Sequence, residues 1–173
     1  MVVFDTTTIV LLIDSAAQPP IDPATGRRIE RCEERIEHLI TGLSHARTRV
    51  LIPTPVLAEF LVKAGPNKEK FLTEFIASRH FLIGSFDQRA AIELSYLQDG
   101  DAALGRKIVD TKAKVKFDRQ ILAIAKIQGA STIYTDDTNL AALADKNGIR
   151  TVMTWEIPLP PPKTGELFAN ESR

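Results

Sequence analysis

Short apolar runs alternate along the chain with longer segments whose apolar positions recur every three or four residues. The runs Val2-Val3-Phe4, Arg49 to Pro53, Phe81 to Gly84, Ser131 to Tyr134 and Arg150 to Met153 read as buried strands, each bounded by capping or turn residues. Helices are expected between them. Asp5-Thr6-Thr7-Thr8 offers capping groups before Ile9 to Ile13, and Arg27 to Ala46 carries Ile29, Cys32, Ile36, Leu39, Ile40 and Leu43 on one face. Thr54-Pro55 is a helix start, followed to about Ala64 by the stripe Val56, Leu57, Phe60, Leu61 and Ala64. Further helices are expected over Asn67 to Ser78, from Asp87 to about Gly105 with Ala91, Leu94, Tyr96 and Leu97 inward, from Asp118 to the turn Gln128-Gly129-Ala130, and over Asn139 to Asn147 with Gly148 as its cap. Regular alternation of strand and helix predicts an α/β fold: a parallel central sheet of about five strands with helices on both faces.

A length of 173 residues with 44% hydrophobic positions suits one domain with its own core, expected over residues 1–157. From Pro158 the sequence PLPPPKTGELFANESR is proline-rich and then polar, and reads as an extended, partly disordered tail over residues 158–173. Balanced charge, 22 basic against 22 acidic residues, gives no global argument for a nucleic-acid partner, so any such surface must be local. The single cysteine, Cys32, excludes an internal disulfide and a cysteine-based zinc site, and is expected to be a reduced bystander. Ile9 to Ile13 is too short to span a bilayer and no signal-peptide pattern opens the chain, so a soluble, cytoplasmic protein without membrane contact is expected.

Carboxylates fall at the junctions of this pattern. Asp5 ends the first strand, where it can also serve as a helix cap, and Asp136 and Asp137 follow the strand ending at Tyr134. Ligands of open parallel sheets bind beyond the carboxyl ends of the strands, where these residues would stand. Asp118 opens its helix and adjoins the most basic stretch of the chain, Arg106 to Arg119, which reads equally as a solvated loop or as a phosphate-contacting segment. Glu59 lies off the apolar stripe of its helix, which makes it a surface residue by periodicity. Arg27, Arg28, Arg31 and Arg35 are interleaved with Glu30, Glu33, Glu34 and Glu37 and read as a solvated, ion-paired face. His38, His45 and His80 fall near none of these motifs, which disfavours chemistry by a histidine pair.

The motifs VVFDTTTIV, IPTPVLAEFL, KFDRQILAIAKIQGA and TIYTDDTNL, in this order and each at a strand–helix junction, together resemble the PIN domain, most closely the VapC-type ribonuclease toxins. The resemblance spans roughly Met1 to Val152, and the segment Pro19 to Ala46 and the tail are longer than a compact toxin of this kind requires. It implies a Mg²⁺- or Mn²⁺-dependent endoribonuclease with catalytic residues Asp5, Glu59, Asp118 and Asp137. All four are metal ligands in this scheme, Glu59 directly or through water, with Asp136 in a supporting or second-metal role. Thr7 and Thr135 would orient carboxylates or waters, and Lys112, Lys114, Lys116 and Arg119 would contact RNA. An all-oxygen donor set suits hard divalent cations, whose chemistry is activation of a water and stabilisation of charge on the scissile phosphate. The implied partners are substrate RNA, a cognate antitoxin and a second copy of the chain. A catalytically inactive PIN fold acting as an RNA-binding or assembly module is the alternative. A receiver-type phosphate regulator wants a paired acidic motif after the first strand and a lysine after the last, which the sequence does not offer.

Overall fold

The computed structural model describes residues 1–14, 16–102 and 112–161. Five strands, β1 (Val2–Phe4), β2 (Val50–Pro53), β3 (Phe81–Gly84), β4 (Thr132–Tyr134) and β5 (Arg150–Val152), form one all-parallel sheet in the order β3-β2-β1-β4-β5. Among the described residues seven α-helices pack around it: α1 (Thr6–Ile13), α2 (Cys32–His45), α3 (Thr54–Ala64), α4 (Lys68–Ala77), α5 (Gln88–Ala102), α6 (Lys112–Ile127) and α7 (Thr138–Lys146). The expected α/β architecture is thus the observed one. The chain winds from β1 outward through β2 to β3, then returns to β4 and winds the other way to β5. The boundary between β1 and β4 is therefore the switch point, where a crevice opens beyond the carboxyl ends of the strands.

Central position explains composition. Val3, Phe4, Leu51, Ile52 and Ile133 are fully buried and continuous in apolar character, as strands covered on both faces require. Phe4 and Tyr134 pack edge to face at 5.4 Å across the β1–β4 seam, and the backbone N–H of Asp5 donates to Tyr134 O at 3.1 Å. Helix α6 presses on the sheet closely enough that Gly84 is required: a Cβ there would lie 2.7 Å from Ile124 Cγ2 and 2.8 Å from Leu51 Cδ1. Burial of Leu122, Ala123, Ile124 and Ala125 fixes the height and rotation of α6, and with it Asp118 earlier on the same helix.

Several boundaries differ from expectation. Helix α6 is already helical at Lys112, six residues before Asp118, so Asp118 is not the residue that opens it. The lysine-rich lead-in is made of good helix formers, and a half-buried Val115 among them keeps the helical phase. Helix α2 begins at Cys32 because Arg31 adopts a left-handed conformation (φ 54°). The residues before it are held as a loop by an Ile21–Arg28 bridge and by Ile29 N donating to Pro20 O, which buries Ile29 without a helix. On α5 the buried face is Ala90 and Leu97 with Leu94 half-buried, whereas Ala91 and Tyr96 face solvent. An i, i+4, i+7 stripe explains this, one residue out of phase with the expected face. Cys32 is free and buried, and burial pushes its thiol pKa up, with Asp136 adding to the rise and Arg35 opposing it. Arg31 forms the ion pair expected of its segment, with Glu34. No helix among the described residues is long and apolar enough to cross a membrane. Arg106, Lys107 and Asp110 of the basic stretch, Gly105 at the expected end of α5, the side chain of Lys112, and the tail from residue 162 onward lie outside the described residues.

Candidate active site

Beyond the carboxyl ends of β1 and β4 lies a cleft of about 680 Å³ lined by Asp5, Thr6, Thr7, Glu59, Lys114, Asp118, Asp136 and Asp137 among its polar residues. The four carboxylates expected to act together thus come to one place from four separate elements. Asp5 caps α1, Glu59 projects from α3, Asp118 from α6, and Asp137 caps α7. Glu59 is exposed, as its position off the stripe predicts, and the surface onto which it is exposed is the wall of this cleft. The rest of the lining is apolar: Pro55, Ala58, Val62, Phe117, Ile121 and Leu140.

One hydroxyl ties the two strand ends together. Thr135 Oγ1 donates to Asp5 Oδ2 at 2.7 Å and accepts from the backbone N–H of Asp137 at 3.0 Å, while its own N–H donates to Val152 O at 3.2 Å. Asp5 Oδ1 accepts from Thr6 N at 2.5 Å. Burial pushes the Asp5 carboxyl above its ordinary value against the pull of these two hydrogen bonds, and the neighbouring charges of Glu59 and Asp137 push it further. The site therefore holds a carboxylate that is ill at ease without a cation.

Glu59 and Asp137 carry their cations already. Glu59 Oε2 accepts from Thr6 Oγ1 at 2.7 Å, and its Oε1 lies 2.9 Å from Lys63 Nζ one turn along α3. Asp137 Oδ1 accepts from the N–H groups of Asn139 (2.8 Å) and Leu140 (3.2 Å), and Oδ2 lies 2.8 Å from Lys114 Nζ. Burial would raise both groups, but for Glu59 the Thr6 hydroxyl and Lys63 outweigh it. For Asp137, Lys114 and the two helix N–H groups do the same, so both carboxyls titrate below their ordinary values. Among the described residues no three His, Cys, Asp or Glu side chains converge closely enough to hold a metal ion as they stand. The donor chemistry nevertheless fits a hard divalent cation: carboxylates, two of them (Asp5 and Asp118) buried, lining a single cleft.

The remaining expected residues divide. Asp136 turns toward the segment after β5, where its Oδ1 accepts from Thr154 N at 2.7 Å and its Oδ2 from Thr154 Oγ1 at 2.8 Å. Thr7 is half-buried in the cleft wall, yet the hydroxyl that holds Glu59 belongs to Thr6. Of the basic set on α6, Lys114 lies one turn before Asp118 and reaches the cleft. Lys116 is two residues from Asp118, about 160° around the helix axis, and is exposed on another side. Arg119 is half-buried. Thr6, Lys63 and Thr154 were not singled out by the sequence; only their contacts across the fold distinguish them from other capping and surface residues.

A family model described as the PIN domain matches residues 26–146. No curated protein matches the chain in sequence. Among solved structures the chain is similar in fold to a chain of VapBC2 from Rickettsia felis bound to a DNA fragment from its promoter. There the TM-score is 0.59 at 15% identity, covering 88% of this chain and 98% of that one. It is also similar to a chain of DNA-bound VapBC from Salmonella typhimurium (TM-score 0.58, 18% identity, 88% and 97% covered). A third likeness is to VapC20 of Mycobacterium tuberculosis, a toxin that cleaves the sarcin–ricin loop (TM-score 0.53, 11% identity, 82% and 94% covered). The matched segment takes in more than half of the chain, which belongs to the PIN domain family.

Proposed function

We propose that this chain is a Mg²⁺- or Mn²⁺-dependent endoribonuclease and the toxin of a toxin–antitoxin pair. The observation that carries the reading is the convergence of Asp5, Glu59, Asp118 and Asp137 on one cleft at the sheet's switch point. When bound, a divalent ion supplies a Lewis acid and a more acidic water. Asp5, Asp118 and Asp137 are the residues that would hold it, with Glu59 joining directly or through water. Thr135 and Thr6 keep the carboxylates aimed into the cleft, a supporting role that such sites commonly require. Asp136, whose two oxygens both face Thr154, positions the turn that carries Asp137. Lys114 stands at the cleft mouth, where a substrate phosphate would enter.

RNA as substrate, an antitoxin as partner, a homodimer as assembly and the cytoplasm as location belong to the same proposal. It is supported by family membership and by likeness in fold to VapC chains. The ion pairs of Lys63 and Lys114 with two of the four carboxylates favour, as a second reading, an RNA-binding module without catalysis. Purified protein incubated with structured and with unstructured RNA, in Mn²⁺ and in EDTA, separates them. Cleavage in Mn²⁺ that stops with chelator is the expected result. Binding without cleavage selects the module, and undiminished cleavage in EDTA overturns the metal mechanism.

A further inference from the structure

Asp137 has two oxygens with different employments. Oδ1 is committed to the N-terminus of α7, accepting from Asn139 N and Leu140 N, so Oδ2 is the oxygen left for a ligand in the cleft. That oxygen is the one Lys114 Nζ meets at 2.8 Å. A divalent ion drawn to Oδ2 would therefore arrive where an ammonium already stands, and two cations in contact around one oxygen repel. The ammonium is the one able to move. It rides on a flexible four-carbon stem at the cleft mouth, its side chain is 44% exposed, and a partly exposed pair of this kind shifts an equilibrium only a few-fold.

We propose that Lys114 is an exchangeable cation: it neutralises Asp137 while the cleft lacks metal, is displaced when a divalent ion binds, and is thereby released toward a phosphate of incoming RNA. The inference rests on the metal site proposed above. It makes Lys114 unlike a residue that merely supports ligands, because its removal should strengthen metal binding. It also couples metal and substrate positively and reciprocally, since the ion frees a positive group that the RNA backbone can use, and RNA that engages this group leaves Asp137 open to the ion. Lys116 on the same helix carries the same charge but no such contact, which makes it the matched control.

Calorimetric titration of Mn²⁺ into the wild type, Lys114→Met and Lys116→Met tests the exchange without any substrate. Lys114→Met should bind Mn²⁺ about three- to tenfold more tightly than wild type, the scale of a partly exposed ion pair added to the repulsion it relieves. Lys116→Met should stay within about twofold of wild type, as expected for a charge screened by solvent. The wild-type protein supplies a second readout that needs no variant to fold. Amine acylation followed by peptide mass spectrometry should show Lys114 reacting several-fold faster in saturating Mg²⁺ than in EDTA, with Lys116 unchanged. Equal or weaker Mn²⁺ binding by Lys114→Met, or Lys114 labelling indifferent to Mg²⁺, overturns the exchange while leaving the nuclease reading in place. Failure of the wild type itself to bind Mn²⁺ overturns both.

Discussion

Removing the Asp136 side chain should damage the fold much more than the chemistry. Its two oxygens accept from Thr154 N at 2.7 Å and Thr154 Oγ1 at 2.8 Å, joining the turn after β4 to the turn after β5 in a half-buried setting. Hydrogen bonds to a charged acceptor contribute about 1.5–3 kcal/mol each when buried. Because Asp136 is only partly buried, water can reach the vacated groups, and Asp136→Ala should lose about 2–3 kcal/mol for the pair. For a chain of this size each kcal/mol moves Tm by about 2–4 °C, so the variant should melt roughly 5–10 °C lower. Asp136→Asn keeps an acceptor for Thr154 N and can donate to Thr154 Oγ1 once that hydroxyl rotates, so about half the loss should return. Thermal melting in EDTA measures these shifts. RNA cleavage assayed well below both melting temperatures should survive in Asp136→Asn and vanish in Asp137→Asn. An unchanged Tm with cleavage abolished would show that Asp136 acts in the site and that its bonds to Thr154 do not explain it.

Two further outcomes follow from the buried end of the cleft. Because burial raises the Asp5 pKa, the native state holds that proton longer than the unfolded chain, and charged Asp5 weakens the metal-free fold as pH rises above its ordinary 3.8. Asp5→Asn should therefore gain in Tm relative to wild type as pH climbs from about 3 to 8 in EDTA; an advantage that shrinks with pH would contradict the assignment. Thr135→Val preserves shape but removes the hydroxyl that serves both Asp5 and Asp137 N, so Mn²⁺ affinity should fall about 10- to 100-fold and the acid limb of the pH–rate profile should move to higher pH. Unaltered Mn²⁺ affinity in a calorimetric titration would remove Thr135 from the site.

What could be read from the sequence was whatever local pattern determines. Strands β1 to β5 stand out as apolar runs, and the acidic residues at their ends are visible because a capping position beside a buried strand is a local fact. Periodicity also placed Glu59 on the surface correctly, but which surface depends on how α3 meets α6, and spacing carries no such information. The same limit applies within Asp136-Asp137, where the resemblance and not the spacing separates the two carboxylates. Adjacent residues in a turn point in different directions, and only the position of Thr154, eighteen residues on, decides which carboxylate is drawn away. Thr6 and Thr7 are alike in sequence, and the choice between them rests on the rotation of α1 against α3. The start of α6 was misjudged because a lysine-rich lead-in looks like a loop, although its residues favour helix and place Lys114 one turn before Asp118.

The central claim is that carboxylates from four separate elements form one divalent-cation site. Melting curves of the wild type and Asp118→Asn, each in EDTA and in millimolar Mn²⁺, address it without a substrate. Binding to the folded state adds RT ln(1 + [L]/Kd), about 2.7 kcal/mol at a hundredfold excess over Kd, which corresponds to roughly 5–10 °C here. The wild type should show that rise and Asp118→Asn should lose most of it, because Asp118 reaches the cleft from α6, whereas the N-cap residues of α1 and α7 are Asp5 and Asp137. An equal rise in both proteins, or none in either, would contradict the site.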